Sequence, residues 1–206
     1  MQVNSKGLGV DISTIIILVV LIGGVVYVIS IYNNLVSKRN TYKNAFAQIE
    51  VQLKRRYDLI PNLIETAKGY MQHEQQTLTK VIEARNAAAN MLKDLAQHLT
   101  PDQVRKFSEA EQTLTSAMGQ FNVVVENYPD LKANQNMMQF AEELTSTENK
   151  VSRARQFYND AVTDYNNFRQ SFPPVFFANM FGHSQDAGLL EFEDSAAIQQ
   201  APKVSF

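Results

Sequence analysis

Three histidines are the first residues to test for chemistry. Dinuclear carboxylate sites in helical proteins use glutamates on facing helices and two Glu-x-x-His pairs, a spacing that turns both side chains to one helix face. Tyr70, Leu95 and Met180 stand three residues before His73, His98 and His183, so no such pair exists. His73-Glu74 opens like a zinc-protease helix motif, but Thr77 stands where the second histidine would have to share the metal. The chain has no cysteine and therefore no thiol nucleophile, and its eight glycines are too dispersed to cradle a phosphate. A Gly-x-Ser-x-Gly elbow and a Walker loop are both missing. These residues point away from catalysis, and no metal or cofactor is expected.

Polar density inside helical stretches is the stronger signal. Gln48, Glu50, Gln52, Lys54, Arg55, Arg56, Asp58, Asn62 and Glu65 crowd one region, with Glu50 and Lys54 spaced for a surface pair one turn apart. Arg55, Arg56 and Asp58 carry too much charge to face one core together, and they suggest a subunit interface or a peptide-binding end, against the plainer reading of a solvated helix face. Ser152-Arg153-Ala154-Arg155 is a more distant candidate of the same kind. Tyr158-Asn159 and Tyr165-Asn166 repeat at a seven-residue interval, which puts equivalent side chains on nearly one face. That face is a candidate seam for self-association, although bundle packing explains the tyrosines equally well. A formal charge of -2 supplies no basic face for nucleic acid.

These residues need elements to hold them, and the first is hydrophobic all round. From Ile12 to Ser37 there is no charged side chain, and Ile12 to Ile31 are almost entirely Ile, Val, Leu, Gly and Ser. Twenty helical residues rise about 30 Å, the thickness of a bilayer's hydrocarbon core. The spacing predicts a transmembrane helix over 12–31, continuing to about 36, after a short N-terminal tail over 1–11. A cleaved signal peptide fits less well: the apolar run is long, Lys6 is opposed by Asp11, and no small-x-small site follows Ile31. Lys38, Arg39 and Lys43 follow the span, whereas Lys6 alone precedes it, which favours an outside N-terminus and a cytoplasmic domain.

Beyond the span, Leu35, Tyr42, Phe46, Ile49 and Leu53 fall at helical steps. Pro61 has no N–H and disfavours helix at Ile60, so a first bundle helix over about 32–59 is expected to end or kink there. A second over 61–97 places Ile64, Ala67, Met71, Leu78, Val81, Ala88, Leu92 and Leu95 inward. Thr100-Pro101-Asp102-Gln103 has the residue types of a capping box with proline at the first helical position, opening a third helix over 101–127. A fourth over 135–171 carries Met138, Ala141, Leu144, Val151, Ala154, Phe157, Val162, Tyr165 and Phe168 on its inner side. The fold class is all-α: a transmembrane helix followed by an antiparallel, up-and-down four-helix bundle. If Pro61 only kinks one long helix, the bundle has three helices, or is completed by a neighbouring chain.

An even number of helices returns the chain to the membrane. The segment 172–181, with Phe172, Phe176, Phe177 and Phe181, is then membrane-proximal, either as a lid on the bundle end or as a foot among the lipid headgroups. Residues 182–206 change composition and are expected to form a mobile tail. Val204 and Phe206 end it at alternate positions, a pattern that could add as a strand to a partner.

In sum these residues resemble the LemA family. The resemblance rests on Tyr32-Asn33-Asn34-Leu35-Val36, on Gln52-Leu53-Lys54-Arg55-Arg56-Tyr57-Asp58-Leu59-Ile60-Pro61-Asn62-Leu63, and on Tyr128-Pro129-Asp130-Leu131-Lys132-Ala133. Gly69-Tyr70, His73-Glu74, Ala84-Arg85, Glu148-Asn149, Ala154-Arg155, Phe157-Tyr158-Asn159 and the closing Pro202-Lys203-Val204-Ser205-Phe206 extend it over about residues 30 to 206. Phe46 stands where the family would have tryptophan, and His183 where an aromatic residue is commoner. The resemblance implies a bacterial membrane-anchored helical bundle without established catalytic residues. The expected role is a non-enzymatic scaffold of the cell envelope, self-associating or organising an unidentified envelope protein beside the lipid bilayer. The alternative is an adaptor that presents its bundle or tail to a signalling or proteolytic partner.

Overall fold

A computed structural model describes residues 11–191. It is built from helices α1 (Ile12–Lys68), α2 (Gln75–Gln97), α3 (Pro101–Val125), α4 (Pro129–Lys132), α5 (Gln135–Gln170) and α6 (Pro174–Ala178). Among the described residues there is no strand. The first part of α1 is long and apolar enough to cross a membrane, with a mean hydropathy of 2.9 over eighteen residues, none of them buried. Ile31 is the first buried residue, and from there α1 becomes a core element.

The bundle part of α1 buries residues at alternating steps of four and three: Tyr42, Phe46, Ile49, Leu53, Arg56, Ile60, Leu63 and Ala67. This 3.5-residue period keeps one face against neighbouring helices over many turns. Helix α3 does the same with Val104, Phe107, Glu111, Leu114, Met118, Phe121 and Val125. Its start is capped as the sequence predicts, Gln103 N donating to the Thr100 hydroxyl at 3.3 Å. Helix α5 packs mainly on α1, and α2 on α3 and α1. With α1 and α3 running one way and α2 and α5 the other, the four long helices make the expected antiparallel bundle.

Three expectations change. The first helix neither ends nor is replaced at Pro61: α1 runs through it to Lys68, and the reversal falls at 69–74. Pro61 cannot donate to the carbonyl of Tyr57 four residues back, which normally leaves an orphaned acceptor. Arg85 of α2 fills that place, its Nε donating to Tyr57 O at 2.9 Å. The bundle therefore keeps four helices despite the continuous α1, because Gly69 to Glu74 supply the turn.

The inner face of α5 is the expected one at Leu144, Val151, Val162 and Tyr165 and differs elsewhere. Met138, Ala141 and Phe157 are exposed, and Met137, Leu144, Val151, Tyr158 and Tyr165 lie inside. These five are spaced by sevens, the period that follows the α1 seam, whereas Met138 and Phe157 each stand one residue off it. Third, the tail is not free along its whole length: residues 183–190 lie against α5, with His183 and Leu190 buried.

Candidate functional site

Arg56 and Glu111 occupy core positions of their helices where an apolar side chain would continue the pattern. They meet inside the bundle, Arg56 Nη1 donating to Glu111 Oε2 at 2.8 Å with both side chains under a tenth exposed. Tyr57 donates its hydroxyl to the other Glu111 oxygen. Burial and the adjacent Glu111 carboxylate push the Tyr57 pKa far up, so this hydroxyl keeps its proton. Arg56 Nε is buried and makes no hydrogen bond; the Glu148 carboxylate oxygen Oε1 is 3.8 Å away. Asp58 is exposed, its carboxylate 3.6 Å from Arg85. Arg55 is exposed. Of the three charged residues singled out in the sequence, only Arg56 enters the core, and its partner Glu111 escaped notice. The signal was available: Glu111 interrupts an otherwise apolar 3.5-residue repeat.

A second constellation lies between α5 and the segment after α6. Asn159 Nδ2 donates to Leu190 O at 3.0 Å and its Oδ1 accepts from Leu190 N at 2.9 Å. Asn166 brackets Ala187 in the same way, at 3.0 and 2.8 Å. Each asparagine thus satisfies both backbone groups of one residue, as a neighbouring strand would. Tyr158 donates to Gly188 O at 2.9 Å, and the Tyr165 hydroxyl and His183 Nδ1 share a hydrogen bond of 3.0 Å. Burial raises the pKa of both tyrosines, and burial together with Arg39 and Arg169 lowers that of His183. Arg169 and Gln170 both hold Asp186. Burial alone would raise that carboxyl's pKa, but these hydrogen bonds and the Arg169 charge bring it below the ordinary value. A Cβ on Gly188 would come within 3.0 Å of Pro101 Cα and 3.2 Å of Val104 Cβ, so the segment is wedged against the start of α3. The asparagines read in the sequence as a seam between molecules hold a segment of their own chain.

The third feature is the phenylalanine segment. Phe177 and Phe181 are half-buried and stack at 6.2 Å, and Phe181 meets Tyr32 of α1 edge-on at 5.2 Å. Phe172, Phe176 and Met180 point outward, at 81%, 71% and 68% exposure. One face of the segment is therefore packed on the bundle, as a lid would be, and the other is left open beside the end of the apolar run. Val204 and Phe206 lie outside the described residues. Among the described residues, no group of three His, Asp or Glu side chains could hold a metal ion.

The sequence profile of the LemA family matches residues 45–206, which takes in the buried ion pair, both asparagine brackets and the phenylalanine segment. The chain belongs to the LemA family. Protein LemA of Metamycoplasma hominis is 27% identical to it over 160 residues, covering 77% of this chain and 69% of that protein. The LemA match begins at Ala45, inside α1, so the apolar run is outside the matched residues. The two departures from the LemA pattern are accommodated by packing. Phe46 is buried edge-on to Tyr158 at 6.0 Å, and His183 is buried on Tyr165.

Proposed function

We propose that this LemA-family protein is a non-enzymatic, membrane-anchored helical scaffold of the bacterial cell envelope. The observation that carries this reading is the continuity of α1. One 57-residue helix runs from the exposed apolar stretch into the centre of the bundle, so the span and the core move as one body rather than through a linker. The bundle part of α1, from Tyr32 to Lys68, extends about 55 Å, and the open face of Phe172, Phe176 and Met180 stands beside its membrane end. Exposed aromatic and thioether groups there suit the headgroup layer, where apolar bodies are buried without crossing. The flanking Lys38, Arg39 and Lys43 orient the bundle to the cytoplasm.

Two measurements test this. The full chain in detergent should run as a defined oligomer that survives removal of residues 192–206. A monomer whose captured partners depend on those residues would instead make it an adaptor. A membrane-impermeant thiol reagent applied to intact cells should label Asn4→Cys and leave Ser116→Cys untouched; the reverse pattern would invert the orientation.

A further inference from the structure

Arg39, Tyr42, Tyr165 and His183 line a cavity of about 200 Å³ beside the start of the bundle, where α1 leaves the apolar run. Both tyrosines and the histidine are under a tenth exposed. A neutral tyrosine and a neutral histidine bring two polar protons, one O–H and one N–H. The hydrogen bond between Tyr165 and His183 uses one of them. In either tautomer the other finds no acceptor among the described residues. One donor is thus left over on two buried side chains that line the cavity.

Arg39 stands beside all three rings. It acts on the Tyr42 hydroxyl by charge and by a hydrogen bond, and on Tyr165 and His183 by charge. Lys38 and Arg169 are paired with Asp164 and Asp186, whereas Arg39 has no carboxylate partner among the described residues. Asp186 also borders the cavity, but Arg169 and Gln170 already hold its carboxylate. Thr100 and Pro101 add the start of α3, the positive end of a 25-residue helix. Asp102 in that first turn is engaged by Arg105 and Lys106. A guanidinium, a leftover donor and a helix N-terminus converge from three sides, which suits a tetrahedral anion with oxygens in several directions. The uncharged run ends at Ser37, so Arg39 lies at the depth of the headgroups when that run crosses a bilayer.

We propose that this cavity binds a phosphate group, presented by an anionic lipid of the leaflet next to the bundle. Arg39 supplies the charge, and the Tyr42 hydroxyl and the Tyr165–His183 pair supply neutral donors that fix the group's position. A phosphate held there ties α1, the start of α3 and the segment that begins at His183 to one lipid, so the segment closes best on a membrane. The choice of a lipid rests on the membrane anchorage proposed above; the phosphate chemistry does not.

Arg39 and Arg169 hold His183 below its ordinary pKa, and an anion between Arg39 and the ring reverses that push. The test is an NMR titration of the histidines in the full chain, in phosphatidylcholine nanodiscs with and without phosphatidylglycerol. A negative bilayer surface raises every nearby pKa by about half a pH unit, and exposed His98 reports that part. With phosphatidylglycerol, His183 should rise by about one pH unit more than His98. Arg39→Gln should cancel this excess and Tyr42→Phe reduce it. Arg39→Gln should also raise the starting value, because one of the two cations is gone. Inorganic phosphate, added to the chain in detergent, separates the sources. An excess in the discs supports the lipid; an excess in inorganic phosphate alone would assign the cavity to a soluble phosphate and overturn the lipid. No excess in either arm, or one that persists in Arg39→Gln, would overturn the site itself. A chain that fails to enter the discs would count against the anchorage, and the phosphate arm would still decide the site.

Discussion

Arg85 stands in for the hydrogen bond that Pro61 removes, and this makes the two residues energetically dependent. Replacing Arg85 by Met leaves the Tyr57 carbonyl unsatisfied, a cost of about 1 to 3 kcal/mol. In a Pro61→Ala background residue 61 regains its N–H, so the same replacement should cost much less, and thermal unfolding of the four variants measures the difference. Arg56 and Glu111 make a parallel case. Glu111→Leu strands a buried guanidinium and should destabilise by about 3 to 5 kcal/mol, whereas Arg56→Met with Glu111→Leu should approach or exceed the parent. At about 2 to 4 °C per kcal/mol for a chain of this size, melting curves separate the two outcomes. Proline's effect on a helix was legible in the sequence; its repair by a side chain 24 residues downstream was not, since no local pattern marks a distant donor. The glutamate was legible in principle, as the one charged residue in an apolar repeat.

At the scale of elements, the tail segment depends on groups whose charge changes with pH. His183 has a pKa below its ordinary 6.5, so the unfolded or undocked chain takes up a proton first as pH falls. Its contribution is therefore complete above about 6.5 and is lost below that value, down to the folded pKa. Asp186 acts in the same direction further down, below its ordinary 3.8. Arg39 and Arg169 are the cations acting on His183, and Tyr165 its hydrogen-bond partner. Hydrogen exchange at Ala187 should therefore quicken as the pH is lowered through 6, after correction for intrinsic rates, and His183→Gln should remove that first step. Asn159→Ala and Asn166→Ala should each free the segment at neutral pH, raising exchange at Leu190 and Ala187 respectively by tenfold or more, as two bonds of about 1 kcal/mol each are lost. The helices that carry these residues could be read from hydrophobic spacing and from the Thr100 cap. The docked segment could not, because an amide that pairs with backbone leaves no periodic trace in the chain it holds. Only the repeat of Tyr158-Asn159 at Tyr165-Asn166 pointed to this face, and it did not say whether the partner was another molecule.

For the whole molecule, the apolar run was visible in composition, and the core and returning helices in hydrophobic spacing and breaks. The position of the turn was not, because residues 69–74 combine a single glycine with Tyr70, Met71, Gln72, His73 and Glu74, residues that a helix also tolerates, and Pro61 marked the more visible boundary. The outcome is a bundle that gathers Tyr32, Phe172, Phe176 and Met180 where the apolar run ends, the end that the proposed function sets on the membrane, and whose far end lies about 55 Å away along α1. That polarity is the central claim, and the absence of tryptophan allows a direct test. Phe176→Trp and Val123→Trp, the latter replacing an exposed residue near the far end of α3, are each placed in bilayer nanodiscs containing brominated lipids. Fluorescence from residue 176 should be blue-shifted and quenched, with residue 123 unaffected; quenching at 123, or at neither position, would contradict a bundle that stands on the membrane by its phenylalanine foot.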